Sequence, residues 1–209
     1  MMMPRDTDMA APLYYPGATT LGIRGKDSVV IAAEKRFAYG YFVMSKQARK
    51  VFKISNNVGA ACAGVVADMQ NMIKEVTAVV NLYRLEQGVE PSVKTVAKIL
   101  SWNLFGNRYF PYFMETIVGG IDSQGPHVIV LDPLGSMIED DYAVVGTGAE
   151  VAVGVIENLY RKDMSATEIR DLAAKAIKAS IARDAGSGNG IDLLLYTQKG
   201  LEAEESITV

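Results

Sequence analysis

The chain has very few of the cysteine and histidine side chains on which many enzymes depend. Cys62 is the only cysteine and His127 the only histidine among 209 residues. One cysteine cannot form an internal disulfide, and the two residues are too few for a cysteine-rich zinc site or for a triad chosen from several histidines. One cysteine is compatible with the cytoplasm, where we expect the protein.

Strong net charge and long apolar runs are also missing. The chain carries 21 Lys+Arg and 24 Asp+Glu, a net charge of −3. This balance argues against a nucleic-acid partner, because neutralising phosphates requires an excess of basic residues. No apolar run is long enough to cross a membrane, and the N-terminal segment around Arg5 and Asp6 lacks the apolar core of a secretory signal. We expect neither nucleic acid nor a membrane as partner.

What is present is the composition of an ordinary globular domain, with 49% hydrophobic and 22% charged residues. The length favours one domain with a sizeable core. Residues 1–17 contain Pro4, Pro12 and Pro16 and show no period, which predicts a leader, either a disordered tail or a processed propeptide. Residues 18–209 are predicted to form the domain.

Hydrophobic periodicity predicts ten strands and four helices. The first long helix runs from Val66 and ends at Gly88, and the second begins after an N-cap at Ser92. The fourth has Ser165 as N-cap and Glu168 at the capping-box position. The third helix is expected over 149–160, a turn over 39–41, and strands over 19–24, 28–34, 42–45, 51–54, 58–63, 115–121, 127–132, 136–139, 142–145 and 191–197.

The order of these elements indicates a fold class. Strands, two helices, strands, two helices and a closing strand follow one another, which favours two sheets with helix layers outside. A doubly wound parallel sheet would alternate strand and helix, so this order argues against it.

Residue types alone give mostly structural interpretations of the polar segments. The charges at 34–36 and 46–50 are typical of a solvated rim. Gly146-Thr147-Gly148 before a helix is only a weak phosphate signal. Cys62 in an apolar strand predicts a small core residue, and an isolated His127 predicts a structural role.

An ordered set of segments stands out along the chain: 32–36, 46–50, 63–64, 110–112, 118–122, 146–148 and 183–188. Taken together, these segments resemble an archaeal-type 20S proteasome β subunit, of the N-terminal-nucleophile hydrolase family. The resemblance covers nearly the whole chain after the leader and implies an α/β (α+β) fold, a four-layer αββα sandwich. It further implies a threonine-type endopeptidase complex that degrades unfolded proteins, with no metal and no organic cofactor. The implied partners are proteasome α subunits and other β subunits in stacked heptameric rings, and a regulatory ATPase.

The resemblance also implies roles for individual residues. Lys50 matches the lysine beside the nucleophile, and Glu34 matches the acid that pairs with it. Asp184 and Ser187 match the pair that orients the threonine and its amine. Gly64 matches the residue whose backbone N–H stabilises the oxyanion. Thr147 stands where the family usually has serine, and the residues at the positions of the main specificity pocket are Phe37, Ala48, Cys62 and Val66.

The nucleophile position departs from the family pattern. Aligning Gly17 and Gly22 with the two glycines of Gly-Thr-Thr-x-x-Gly puts Ala18 where the family has threonine. Alanine has no hydroxyl, so this residue can neither attack the Gly17 carbonyl nor cleave a substrate.

Several alternatives stay open at this stage. The chain is a noncatalytic β subunit beside an active paralogue, or Ala18 was engineered to trap an uncleaved chain. A third alternative is Thr19 as nucleophile after cleavage behind Ala18, although strand alternation turns Thr19 away from Lys50. Thr20 is on the correct face but roughly 6–7 Å further along the strand. An unrelated α/β binding module is the remaining hypothesis.

Overall fold

The computed structural model describes residues 17–40 and 42–209. Apart from Gly17, the predicted leader lies outside the described residues, and so does Tyr41 of the predicted turn.

Twelve strands and four helices form within the described ranges. The strands are β1 (Thr20–Arg24), β2 (Ser28–Glu34), β3 (Phe37–Tyr39), β4 (Phe42–Ser45), β5 (Val51–Lys53), β6 (Val58–Gly64), β7 (Met114–Asp122), β8 (Gly125–Leu131), β9 (Met137–Asp140), β10 (Tyr142–Val145), β11 (Ile191–Thr197) and β12 (Gly200–Ile207). The helices are α1 (Val66–Gln87), α2 (Val93–Gly106), α3 (Ala149–Leu159) and α4 (Ala166–Ile181).

The strands pair into two five-stranded antiparallel sheets and one short hairpin. The first sheet has the order β10-β1-β2-β11-β12, and the second has the order β5-β6-β7-β8-β9. Strands β3 and β4 pair only with each other. Strands β1 and β2 form an antiparallel hairpin, with Gly22 opposite Ile31.

Three hydrophobic clusters separate four layers. One cluster joins residues of β2, β6, β7 and β11 between the two sheets, with Ile31 and Ile117 among its members. A second lies between the first sheet and helices α3 and α4, and a third between the second sheet and helices α1 and α2. The layers are therefore helix, sheet, sheet, helix, which confirms the αββα prediction. Strand β2 is buried along its whole length, as its continuous apolar run predicts.

Glycines allow the two sheets to approach each other closely. A Cβ atom added to Gly119 would lie 2.4 Å from Ile31 Cγ2, and one added to Gly22 would lie 2.8 Å from Ile117 Cγ2. Each glycine therefore faces an isoleucine from the opposite sheet. Interiors packed at crystal-like density leave no space for an additional methyl group at such positions.

The predicted helix ends are confirmed. Helix α1 ends at Gly88, which adopts the left-handed conformation and donates its N–H to the Arg84 carbonyl. The Ser92 side chain accepts the N–H of Thr95 at the start of α2. Ser165 and Glu168 form a complete capping box on α4.

Two strands were missed by the sequence-based prediction. Strand β3 has only three residues, too few for an alternating pattern to stand out. The prediction that 191–197 closes the domain is wrong, because β12 continues the first sheet as its edge strand. Its sequence Gly-Leu-Glu-Ala-Glu-Glu-Ser-Ile is rich in helix formers, and pairing with β11 overrides that propensity. Four predicted strands have the observed bounds (β2, β4, β10 and β11), and the ends of the other six differ from the prediction by at most two residues.

In the described part of the chain, no helix is both long and apolar enough to cross a membrane.

Candidate active site

Three residues before or at the start of β1 lie where several chain segments meet. Gly17, Ala18 and Thr19, here called the junction, contact the end of β2, the residue before β5, the turn before α3 and the loop after α4. Ala18 and Thr19 are fully buried. The sheets therefore bring to one place residues that are more than 160 positions apart in sequence, such as Thr19 and Ser187.

A buried ion pair lies on one side of the junction. Lys50 Nζ forms a short ion pair with Glu34 Oε1 and donates to the Gly17 carbonyl at 3.4 Å. The other oxygen of Glu34 accepts the N–H of Arg36 at 2.7 Å and the N–H of Gly188 at 3.0 Å. Burial raises the pKa of the Glu34 carboxyl, while the Lys50 ammonium and these two N–H groups act in the opposite direction. The carboxylate is thus held by three donors.

The expectation of a solvated charged rim is wrong for this pair. Glu34 is 0% and Lys50 2% exposed, whereas Lys46 and Arg49 are exposed as expected. The sequence could not separate these cases by residue type, because only the fold turns the end of β2 and the start of β5 inward. Buried charges persist where they are paired, as these are.

A network of hydroxyl groups lies on the other side of the junction. Asp184 Oδ2 accepts hydrogen bonds from Thr147 Oγ1 and Ser187 Oγ, each at 2.6 Å. Because Ser187 gives its proton to Asp184, it accepts the proton of Thr19 Oγ1, 2.7 Å away. The N–H of Ala18 donates to Thr147 Oγ1 at 3.2 Å. This network therefore holds the Ala18 backbone and the Thr19 side chain.

The two networks contact different residues of the junction. Lys50 reaches the carbonyl of Gly17, and the Thr19 hydroxyl is directed to Ser187 on the Asp184 side. Ala18 stands between them with its carbonyl bound by the N–H of Gly148 at 3.2 Å, and its side chain is a methyl group. The arrangement can hold and move protons, but it offers no hydroxyl at Ala18.

Arg36 and Asn189 are parts of the site that residue-type reasoning missed. The Arg36 guanidinium donates to the Ala185 carbonyl at 2.7 Å and to Asn189 Oδ1 at 3.1 Å. It also lies against the backbone of Gly188, where an added Cβ would be 2.2 Å from its Nη2. Asn189 adopts a left-handed φ of 71°, which asparagine tolerates better than most residues. Arg36 thus holds the loop that carries Asp184 and Ser187. The sequence signal that could have indicated this loop was the Asn-Gly pair at 189–190, which is typical of a turn.

A cleft of about 360 Å³ opens beside the junction. Gly17 and Gly186 meet in its wall, so closely that a Cβ atom on Gly17 would lie 2.3 Å from the Gly186 Cα. The lining residues are Gly17, Arg36, Ala38, Gly40, Val43, Thr147, Asp184, Ala185 and Gly186.

The remaining predicted site residues make no hydrogen bond to the junction within the described residues. Gly64 ends β6 with a φ of 129°, and a Cβ there would lie 2.1 Å from the Phe113 carbonyl oxygen. Phe37, Ala48 and Val66 are half-buried. Cys62 is fully buried in the core under α1 and α2, as predicted for a small core residue, and burial raises the pKa of its thiol to about 12.

Comparison with known proteins identifies the family. A family model described as "Proteasome subunit" matches residues 14–195. The chain belongs to the proteasome subunit family. Proteasome subunit beta 2 of Pyrobaculum arsenaticum is 49% identical over 189 residues, which is 90% of this chain and 93% of the relative. Proteasome subunit beta 1 of Hyperthermus butylicus is 48% identical over 200 residues, 94% of this chain and 98% of the relative.

Membership of this family confirms the resemblance to an archaeal-type proteasome β subunit. The proteasome is a protease complex, so the junction and its two networks belong to a fold that serves proteolysis. Relatives named beta 1 and beta 2 match at nearly equal identity, 48% and 49%, so similarity alone does not assign this proteasome chain to one kind.

Proposed function

We propose that this chain is a β-type subunit of a 20S proteasome core that builds the ring without cleaving peptides itself. The observation that carries the proposal is the fully buried methyl group of Ala18 at the junction, between the Lys50–Glu34 pair and the Asp184 network. A threonine-type peptidase needs a hydroxyl at this point to attack a carbonyl. The catalytic threonine of the complex then belongs to another β subunit.

Lys50 and Glu34, which are retained from the family's catalytic site, have a structural role in this chain. Lys50 and Glu34 satisfy each other and the Gly17 carbonyl inside the protein. Removing one partner would leave a buried charge unpaired, which typically destabilises a protein by about 3–5 kcal/mol. Retention of the site without a nucleophile is therefore physically reasonable.

Thr19 is the weaker candidate for a nucleophile. Its hydroxyl is directed to Ser187, and it is fully buried. Lys50 Nζ, which would serve a nucleophile as a proton acceptor or electrostatic partner, bonds to Glu34 and Gly17 instead. An active Thr19 would require β1 to slip by one residue, which would move the whole strand to the wrong face.

Membership of the proteasome subunit family supports the proposed assembly. Proteasome α subunits and other β subunits would complete stacked heptameric rings, and a regulatory ATPase would deliver unfolded proteins to the enclosed chamber. We propose the cytoplasm as the compartment. We also propose that Gly64 and the residues Phe37, Ala48, Cys62 and Val66 correspond to the family's oxyanion and pocket positions, although this chain would not use them in catalysis.

The test is the intact mass of this chain after assembly with α subunits and a catalytic β subunit. We expect a mass that retains residues N-terminal to Ala18, because no hydroxyl is available to cleave behind Gly17. Complexes of this chain with α subunits alone should show no peptidase activity above background with fluorogenic peptides.

A Thr19→Val variant is the matched control, because valine keeps the shape of threonine and removes the hydroxyl. Under the proposal, the intact mass of this variant shows the same N-terminal residue as the wild-type chain. A wild-type mass that begins at Thr19, together with peptidase activity that Thr19→Val abolishes, would overturn the proposal.

A further inference from the structure

His127 lies away from the junction and contacts a carboxylate at each ring nitrogen. It belongs to β8 and is 6% exposed. Nδ1 lies 2.5 Å from Glu139 Oε1 in β9, and Nε2 lies 3.2 Å from Asp122 Oδ1 at the end of β7. Ionised carboxylates only accept hydrogen bonds, and a neutral imidazole carries a single N–H. Both contacts are hydrogen bonds only when the ring carries two protons.

The two carboxylates lead back to the first turn of one helix. Asp122 Oδ2 accepts the N–H of Val93, the first residue of α2, at 3.0 Å. Glu139 Oε2 pairs with Lys94 Nζ of the same turn at 3.0 Å. A continuous path of polar contacts therefore leaves α2, crosses β7, β8 and β9, and returns to α2. Its central member, His127, is the side-chain type that changes charge between about pH 5 and 8.

The charges along this path balance only with a protonated ring. His127 and Lys94 then face Asp122 and Glu139, two positive groups against two negative ones. Burial raises the pKa of Glu139, but hydrogen bonds from His127 and Lys94 outweigh it, so this pKa lies below its usual range. Glu139 is therefore ionised over the range in which a histidine titrates. A neutral ring leaves one negative charge uncompensated, and it turns one nitrogen lone pair toward a carboxylate.

We propose that His127 is a proton-dependent latch that ties the first turn of α2 to the β7–β8–β9 part of the second sheet. Loss of the ring proton opens the path at one nitrogen. The contact with Glu139 is the one that opens, because that side chain is 34% exposed and can turn to water, whereas Asp122 is 7% exposed. The latch is closed at low pH and opens as the pH rises through the range in which the ring loses its proton.

The unique histidine makes the protonation state directly measurable. The full chain, purified with a tag that contains no histidine, would be labelled with ¹⁵N only at histidine, so that one ring gives all the signals. Spectra would be recorded from about pH 5.5 to about 8.5, the range around which histidine side chains in general change charge. We expect both ring nitrogens to carry a proton when the latch is closed and only Nε2 when it is open. A ring that keeps one protonation state throughout, or that loses the Nε2 proton, would overturn the proposal, and this measurement needs no variant.

Hydrogen exchange tests the mechanical consequence. After correction for the intrinsic pH dependence, we expect amide protection in the first turn of α2 to be higher with the latch closed than with it open, because only the doubly protonated ring ties the strands to this turn through both Asp122 and Glu139. In His127→Gln the difference should vanish. The first turn of α4 is the internal control, because its capping box of Ser165 and Glu168 contains no histidine. Equal changes in both helices, or a difference that persists in His127→Gln, would contradict the latch.

Discussion

At the scale of single residues, Ala18 determines what the junction can do. Three groups of polar side chains surround the backbone of the junction: the Lys50–Glu34 pair, the Thr147 hydroxyl and the Asp184–Ser187 contact. Each of these groups can bind, orient or hold a proton, and none of them replaces a nucleophilic hydroxyl at residue 18. Because the surrounding groups are retained, a single substitution at residue 18 can test whether the hydroxyl is the only group that the site lacks.

Ala18→Thr should restore a hydroxyl between Lys50 and Thr147. Upon assembly with α subunits we expect self-cleavage after Gly17, because the new hydroxyl lies next to the carbonyl that Lys50 contacts. Peptidase activity should rise from background to a measurable rate, because the variant supplies the nucleophile that the parent lacks. Intact mass and fluorogenic peptides measure both results.

Ala18→Val controls for the added volume, since valine has the shape of threonine without its hydroxyl. If neither variant cleaves itself, the hydroxyl is not the only component that the junction lacks. Cleavage in both variants would point to a different nucleophile.

At the scale of elements, the start of α2 illustrates how local signals and tertiary contacts combine. Ser92 caps the helix from within its own segment by accepting the Thr95 N–H. Asp122 adds a second cap from a strand, since it accepts the Val93 N–H. Only the first contact is visible in the sequence, because the second joins residues 29 positions apart.

Ser92→Ala should lower the free energy of unfolding by about 1 kcal/mol, the usual effect of removing an N-cap side chain. Ser92→Asn is the matched control, because its amide oxygen can accept the same N–H. Chemical denaturation of the two variants checks the prediction. An equal loss in both would show that the site responds to the change of side chain and not to the loss of the cap.

At the scale of the whole molecule, the distance between the sheets depends on glycine. Gly119→Ala places a methyl group against Ile31 Cγ2. The isoleucine side chain branches at Cβ, so this methyl group cannot move aside without a shift of its strand. We expect overpacking to lower the free energy of unfolding by about 1–3 kcal/mol. Thermal or denaturant unfolding of the full chain measures it.

Gly154→Ala provides the contrasting substitution. Gly154 lies in α3, and an added Cβ there meets no atom within 4 Å. Replacing a helical glycine by alanine typically stabilises by about 0.5–1 kcal/mol. If the two alanine variants shifted stability in the same direction, the packing argument at Gly119 would be wrong.

The sequence by itself determined the four helices, ten of the twelve strands in the described part of the chain, and the order of these elements. Apolar period, caps and turn residues act between neighbours in the chain, so helix α1 up to Gly88, the cap at Ser92 and the capping box of α4 were all predictable. The order of strands and helix pairs was enough to indicate two sheets between helix layers, and ordered motifs indicated the family. The absence of a hydroxyl at residue 18 is likewise a fact of the sequence alone.

Only the tertiary structure decided which polar residues are buried together. Lys50 and Arg49 are neighbours of the same charge, yet one lies inside against Glu34 and the other at the surface, because the strand that follows turns one side chain inward. Pairing likewise made an edge strand of the glutamate-rich β12. The path through His127 joins α2 to three strands. Such contacts depend on which elements pack together, and local sequence patterns do not encode that packing.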